Sequence, residues 1–163
     1  MKELFTPIKR SKQLAQLSRE HHETLLFAWK IRQGNKYRTS KETLLAYCNW
    51  FGETHLLNHF KKEEQTFSNI ISMDHPLMMK MVEDHEAIKM KLKQLNEFPS
   101  YEGFERLAQI IIYHVQFEER ALFNYIEQIA SDEQLNSISM SLPDVKSDSP
   151  GWTNWFWIKP RQN

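Results

Sequence analysis

Two stretches of the sequence repeat one arrangement of a histidine and a glutamate. HFKKEEQTF begins at residue 59 and HVQFEERALF begins at residue 114. His59 is therefore followed four residues later by Glu63, and His114 by Glu118. Residues four apart on an α-helix lie about 40° apart on adjacent turns. Each pair thus places an imidazole beside a carboxylate, and both groups are metal ligands.

Apolar residues surround these pairs. An ionised carboxylate buried in such a stripe costs several kcal/mol unless positive charge compensates it. Two bound metal ions would supply that charge, so the repeat predicts a buried two-metal site. Around His114 the apolar positions are Leu107, Ile110, Ile111, Phe117, Ala121 and Leu122.

Two further histidines lie on apolar helical faces. His85 stands between methionines and aliphatic residues at helical spacing. In the first helix, His21 shares a face with four apolar residues at about 100° per residue. These neighbours of His21 are Leu14, Leu17, Leu25 and Ala28.

Two other histidines are reserve candidates for the metal site. His22 lies about 100° round the first helix from His21, so it is the weaker candidate there. His55 precedes His59 by one helical turn. It either extends the site or has a structural or supporting role.

The elements that must position these residues are helices. Only four glycines and six prolines interrupt the chain, and long stretches contain neither. Short connections between long helices favour antiparallel neighbours. We therefore predict an all-α fold, an up-down-up-down antiparallel four-helix bundle over residues 1–131. The first helix is expected from Ser11 to about Arg32 and should end at Gly34. The other three are expected from Ser40 to about Ser72, from Pro76 to Phe98, and from Tyr101 to about Ala130.

Residues 132–163 form a C-terminal tail of a different character. Ser, Asp and Pro are frequent at its start, and it then becomes aromatic in GWTNWFWIKP. Tryptophans at this density are normally covered. We expect the tail to fold back over the bundle. The alternative is docking onto a partner, including a second copy of the chain in a homodimer.

Composition excludes several classes of function. The 21 basic residues balance the 21 acidic ones, so there is no electrostatic reason to expect nucleic acid or an anionic membrane as a partner. Cys48 is the only cysteine, which excludes an internal disulfide and a cysteine-based zinc or iron–sulfur site. The first twelve residues lack a signal-peptide core, and no apolar run approaches the roughly 20 residues of a membrane span. We expect a cytoplasmic protein.

Four short motifs, in order, resemble the hemerythrin-like, HHE cation-binding family. They are LSREHH, HFKKEEQTF, EDHEAI and HVQFEERALF, and the likeness extends from about residue 14 to 126. It implies a non-haem di-iron centre that binds dioxygen or another small diatomic molecule. It also implies that Glu63 and Glu118 bridge the metals. The implied ligands are His21, His59, Glu63, His85, His114 and Glu118.

The chain departs from the oxygen-carrying members of that family at two positions. Lys89 stands where a carrier has a second histidine on the third helix. Glu119 occupies the position of the carrier's aspartate, and Glu118 offers a carboxylate one residue earlier. Six ligands instead of seven leave a coordination position open. We therefore expect sensing, storage or handling of oxygen, nitric oxide or iron, and not reversible oxygen transport.

Other metals and other functions are alternatives. Manganese and zinc accept the same imidazole and carboxylate ligands as iron. A di-iron oxidase or peroxidase is the enzyme alternative, although that class usually has Glu-x-x-His, the reverse order. A metal-free helical interaction module is the third hypothesis. We expect a protein that binds metal and a small ligand, without catalytic residues.

Overall fold

The computed structural model describes residues 10–141 and 151–160, and all regular secondary structure in these ranges is helical. The all-α prediction is therefore confirmed. The parts of the predicted segments at 1–9, 142–150 and 161–163 lie outside the described residues. The α-helices are α1 (Lys12–Lys36), α2 (Lys41–Phe51), α3 (Leu57–Phe67), α4 (Pro76–Glu97), α5 (Tyr101–Phe117), α6 (Phe123–Ile129) and α7 (Asp132–Ser141).

Side-chain caps set the starts of these helices. The hydroxyls of Ser11, Ser40 and Ser100 accept hydrogen bonds from the first-turn N–H groups of α1, α2 and α5. At α4 the cap is His75, whose Nδ1 accepts from the N–H of Leu77. Caps of this kind satisfy donors that have no partner within the helix.

The predicted end of α1 at Gly34 is wrong. The helix continues to Lys36, and the chain then turns at Arg38, which has a positive φ of 54°. Gly34 instead provides space within the helix. A Cβ built there would lie 2.4 Å from Leu44 Cδ2 and 2.8 Å from Phe156 Cε2.

Two π-helical segments change the rotational phase of the helices that carry the His–Glu pairs. The first, Gly52–Leu56, joins α2 to α3, and the second, Glu118–Leu122, joins α5 to α6. A π-segment inserts one extra residue into a helix. Within the first π-segment, Gly52 and Leu56 are buried and His55 is exposed. His59 and Glu63 are buried in the helix that follows, so these two residues, and not His55, face inward.

Two apolar clusters form the core. The Phe27 cluster comprises Phe27, Ala28, Ile31, Leu44, Tyr47, Cys48, Phe51, Leu56, Phe60, Ile88, Leu92, Leu95, Phe104, Leu107, Ala108 and Ile111. The Phe123 cluster comprises Leu14, Leu17, Phe67, Ile71, Met78, Met81, Leu122, Phe123, Ile126 and Ile138. Along α1, α3, α4 and the α5–α6 helix, buried polar residues interrupt the apolar positions between the two clusters.

The C-terminal segment packs on this core at two places. The helix α7, which we did not predict, contributes Ile138 to the Phe123 cluster. Further along, Trp152, Phe156 and Trp157 pack against the Phe27 cluster, while Trp155 stays 63% exposed. Docking onto a second copy remains a prediction. None of the helices in the described part of the chain is long and apolar enough to cross a membrane.

Candidate metal centre

A group of imidazole and carboxylate side chains occupies the space between the two apolar clusters. Each is between 0% and 3% exposed. One comes from α1, two from α3, one from α4, one from α5 and one from the start of the second π-segment. All six residues that we predicted as ligands meet here: His21, His59, Glu63, His85, His114 and Glu118.

These residues form two overlapping groups. One contains His21, His59 and Glu63, and the other contains Glu63, His85, His114 and Glu118. Within each group the potential ligand atoms lie within 4.8 Å of one another. Glu63 belongs to both groups. The arrangement suits two neighbouring cations that share one carboxylate.

The two oxygens of Glu63 face histidines from different helices. Oε1 lies 2.9 Å from Nε2 of His59 and 3.4 Å from Nε2 of His85, and Oε2 lies 3.5 Å from Nε2 of His21. Glu118 has a similar position on the other side. Its Oε1 lies 3.5 Å from Nε2 of His85 and contacts Nε2 of His114. All four imidazoles therefore direct Nε2 into the same small volume.

The inward atoms have no hydrogen-bond partners within the described part of the chain. This holds for Nε2 of all four histidines and for both oxygens of Glu63 and Glu118. Buried polar atoms almost always find a partner, so such a set requires an explanation. Lone pairs directed at a common point, and not at each other's protons, are what a coordinated cation needs. The imidazole and carboxylate donors fit iron, and they also fit manganese or zinc.

The opposite ring nitrogen of each histidine faces another carboxylate. Nδ1 of His21 is 2.8 Å from Glu119, and Nδ1 of His114 is 3.2 Å from Asp84. The remaining two contacts are longer. They are 3.5 Å from His59 Nδ1 to Glu20 and 3.7 Å from His85 Nδ1 to Glu64.

These outer carboxylates form a closed ring around the centre. Glu20 of α1 faces the histidine of α3, and Glu64 of α3 faces the histidine of α4. Asp84 of α4 faces the histidine of α5, and Glu119 of the second π-segment faces the histidine of α1, which closes the ring. A carboxylate at the far nitrogen of a ligand histidine fixes its tautomer and raises its basicity.

The outer positions of Glu20 and Asp84 were missed. The available signal was an acidic residue directly before each histidine, in REH and EDH.

No family model, no curated protein and no solved structure matches this chain in the comparisons. One fold serves many functions, so the function of this chain has to be inferred from the geometry, burial and charge of the centre.

The charges of the centre depend on one another. Burial lowers the pKa of His59, but the carboxylates of Glu63 and Glu20 outweigh burial and raise that pKa to about 10. Burial acts the same way on His114, and Glu118 and Asp84 raise its pKa to about 9. Burial would raise the pKa of Glu63, yet its histidine partners hold it well below the usual value. In the metal-free protein, imidazolium ions therefore accompany the buried carboxylates.

Neither reserve histidine joins the centre. His22 is exposed on the outer face of α1. His55 packs on the rings of Trp50 and Phe51, with centroids 5.7 and 5.2 Å away. Lys89 also points elsewhere, since its ammonium lies 3.1 Å from Glu86 on the surface of α4.

One predicted neighbour of His21 lies on a different face. Leu25 is 38% exposed, although we expected it beside His21 on the buried stripe. Thr24 is buried in its place, and its hydroxyl donates to the carbonyl oxygen of Glu20, which satisfies the polar group within the helix.

Proposed function

We propose that the protein binds two metal ions in the space between the Phe27 and Phe123 clusters, with iron as the resident metal. One observation carries the proposal. Each of four buried histidines directs an unpartnered Nε2 inward, and a carboxylate oxygen lies within 3.7 Å of its Nδ1, at hydrogen-bonding distance for His21 and His114. This is the arrangement by which proteins orient histidines that ligate a metal.

Burial of charge supports the proposal against a metal-free interaction module. Glu63 and Glu118 are 0% exposed. A module that only bound another protein would gain nothing from two carboxylates in its interior. Such groups cost several kcal/mol when their charge is uncompensated. Two cations with neutral imidazole ligands would compensate them, and iron at such a centre supplies redox and small-ligand chemistry.

A four-helix bundle is the architecture that we propose around the centre. Along α1 and α4 the chain passes from the Phe123 cluster through the centre to the Phe27 cluster. Along α2–α3 and α5–α6 it passes in the opposite order. This alternation supports an up-down-up-down arrangement, and we propose that the protein is a hemerythrin-like protein of this type.

The ligand set favours sensing or handling of a small molecule or of iron over oxygen transport. Lys89 supplies no seventh ligand, because its side chain pairs with Glu86 on the surface. Six ligands shared between two ions leave coordination positions for an exogenous ligand such as dioxygen or nitric oxide. We therefore propose a protein for sensing, storage or handling of oxygen, nitric oxide or iron.

Metal uptake by the purified protein tests the proposal. Metal-free protein is titrated with ferrous iron under anaerobic conditions, and bound iron is measured after desalting. We expect two ions per chain, one for each group of ligands. The matched control is His22→Gln, which changes an exposed histidine next to the centre and should bind the same amount. Failure to bind iron, manganese or zinc above trace levels would refute the proposed function.

Mixing the reduced iron-loaded protein with oxygen distinguishes handling from transport. We expect the visible spectrum to change on mixing and not to return when oxygen is removed under vacuum. A spectrum that returns repeatedly to its starting form would identify a carrier instead.

A further inference from the structure

The ring of Phe60 lies against two of the candidate ligand histidines. Phe60 belongs to α3 and is 1% exposed. Its ring is stacked on the imidazole of His85, with the ring centres 3.9 Å apart and 16° between the planes. It meets the imidazole of His114 nearly at right angles, with the centres 5.7 Å apart. Both histidines belong to the ligand group that also contains Glu63 and Glu118, so one aromatic side chain contacts both imidazoles of that group.

His85 has the weakest polar support of the four ligand histidines. Its Nδ1 lies 3.7 Å from Oε2 of Glu64, which is too far for a hydrogen bond, and the atom has no hydrogen-bond partner among the described residues. That carboxylate is not fixed either, since no lysine or arginine in the described part of the chain forms an ion pair with Glu64. By contrast, Nδ1 of His114 lies 3.2 Å from Asp84, and Lys80 pairs with that carboxylate. The orientation of His85 therefore depends on another contact.

A stacked ring supplies that orientation. An imidazole turns about the bond that joins it to Cβ, and a nearly parallel ring at 3.9 Å blocks the turn. Phe60 does not move aside readily, because it is packed in the Phe27 cluster and protein interiors are close-packed. The imidazole of His85 is thereby held in the plane that places its Nε2 3.4 Å from Glu63 and 3.5 Å from Glu118.

We propose that Phe60 is a positioning residue for the metal ion bound by His85 and His114, and that it acts mainly by fixing the plane of His85. The inference rests on the proposed metal-binding function. Stacked aromatic pairs contribute enough free energy to change an equilibrium constant about two- to tenfold. Loss of the ring should weaken the binding of this ion by a factor of that size, while the carboxylates and imidazoles of the centre keep their number and charge.

His21 provides a comparison within the same centre. The ring of Phe123 is stacked on its imidazole at 5.0 Å, with 18° between the planes. Unlike His85, however, His21 also has a carboxylate oxygen at hydrogen-bonding distance, 2.8 Å from its Nδ1. The stacked ring is then a second support and not the main one. Removing the ring of Phe123 should weaken metal binding less than removing the ring of Phe60.

Metal titration of a variant without the ring tests the inference. Metal-free protein is titrated anaerobically with cobalt(II) against a competing chelator, and the visible absorption of the bound ions gives an affinity for each. Phe60→Leu should weaken the binding of one ion about two- to tenfold and of the other clearly less. Phe60→Met, which has a flexible side chain without a ring, carries the same expectation if Phe60→Leu does not fold.

The matched control is Phe104→Leu. Phe104 is 0% exposed in the same apolar cluster, and it takes part in none of the ring contacts with histidine found in the described part of the chain. This control should lower the melting temperature of the metal-free protein as Phe60→Leu does, but it should leave the affinity for both ions unchanged. Combined with His85→Ala, Phe60→Leu should cause little further loss of affinity, because the imidazole on which it acts is gone.

The outcomes separate this inference from the proposed function. If the unaltered protein binds no metal, the proposed function itself fails. If it binds two ions and Phe60→Leu leaves both affinities unchanged, Phe60 does not position a ligand. Equal weakening of both ions, or the same weakening in Phe104→Leu, would show a general packing effect and would overturn the inference. A full additional loss when Phe60→Leu is combined with His85→Ala would overturn it as well.

Discussion

Nδ1 of His21 lies 2.8 Å from Oε1 of Glu119, and the other oxygen of that carboxylate accepts a hydrogen bond from Arg10 at 3.0 Å. The side chain of Arg10 is 6% exposed. Arg10 thus fixes Glu119, and Glu119 fixes the ring that directs its Nε2 toward Glu63. This is the most tightly held of the four contacts between a ligand histidine and its outer carboxylate.

Replacing Glu119 should weaken metal binding without abolishing it. Loss of a carboxylate that orients a ligand histidine typically lowers metal affinity 10- to 100-fold, or about 1.4 to 2.7 kcal/mol. We expect Glu119→Ala to fall in this range in a competition titration with a chelator. Glu119→Gln should retain more affinity, because its amide oxygen still accepts from Nδ1–H. Glu86→Ala, which removes a surface carboxylate of α4, is the control and should match the unaltered protein.

The two adjacent histidines of α1 should behave differently. His21→Ala removes the α1 ligand of the group that contains His59 and Glu63, so we expect the loss of one of two ions. His22→Ala changes an exposed side chain and should leave the metal content intact. Metal analysis of both purified variants decides this. Full occupancy in His21→Ala with an empty site in His22→Ala would show that the assigned phase of α1 is wrong.

The metal-free protein should lose stability as the pH rises. Both His59 and His114 have raised pKa values in the folded state, about 10 and about 9, against an ordinary value of 6.5. Their ion pairs therefore contribute fully below pH 6.5 and are lost as the pH rises toward these folded values. We expect the melting temperature of the protein in chelator to fall between pH 6.5 and pH 9.5.

Metal should remove this dependence. In the loaded protein the imidazoles bind as neutral ligands, so no imidazolium remains to lose a proton over the same pH range. A metal-free protein whose melting temperature rises or stays level toward pH 9.5 would contradict the charge assignment. His114→Gln in chelator should show a smaller fall, since one of the titrating pairs is gone.

Gly34 should not tolerate a methyl group. A Cβ there would meet Leu44 and the ring of Phe156 inside van der Waals distance. Overpacking of this kind costs about 1–3 kcal/mol. Gly34→Ala should lower the free energy of unfolding by that amount in a denaturant titration. At Gly52 the nearest atom to a built Cβ is 3.7 Å away, so Gly52→Ala is the control and should be neutral or up to about 1 kcal/mol stabilising. Equal effects of the two changes would argue against the close packing of Phe156 on α1.

The C-terminal tail illustrates one limit of prediction from sequence. Its tryptophans indicated a covered surface, and Trp152 and Trp157 do pack on the Phe27 cluster. The position that receives the tail was not predictable, because Gly34 appeared in the sequence as a helix end. The approach of both Leu44 and Phe156 to Gly34 shows why a glycine is needed inside α1.

The His–Glu pairs illustrate what was predictable. Helical spacing alone placed His59 beside Glu63 and His114 beside Glu118, and both pairs are in contact. Residues four apart can be paired from the sequence because their contact depends only on the local geometry of one helix. The direction in which each side chain of a long helix points is harder to predict from the sequence. His55 lies in the first π-segment and is exposed, and the sequence contains no simple signal for that segment.

The sequence by itself determined the helical class, the starts of α1 and α2 after Ser11 and Ser40, and the six inward imidazole and carboxylate residues. These features depend on propensity, on spacing and on apolar periodicity, all of which act within one segment. Only the tertiary structure decided which carboxylate faces which histidine. Glu20 and Asp84 are adjacent in sequence to His21 and His85, but Glu20 faces the histidine of α3 and Asp84 faces the histidine of α5. That pairing depends on the rotation and packing of separate helices, which local spacing does not specify.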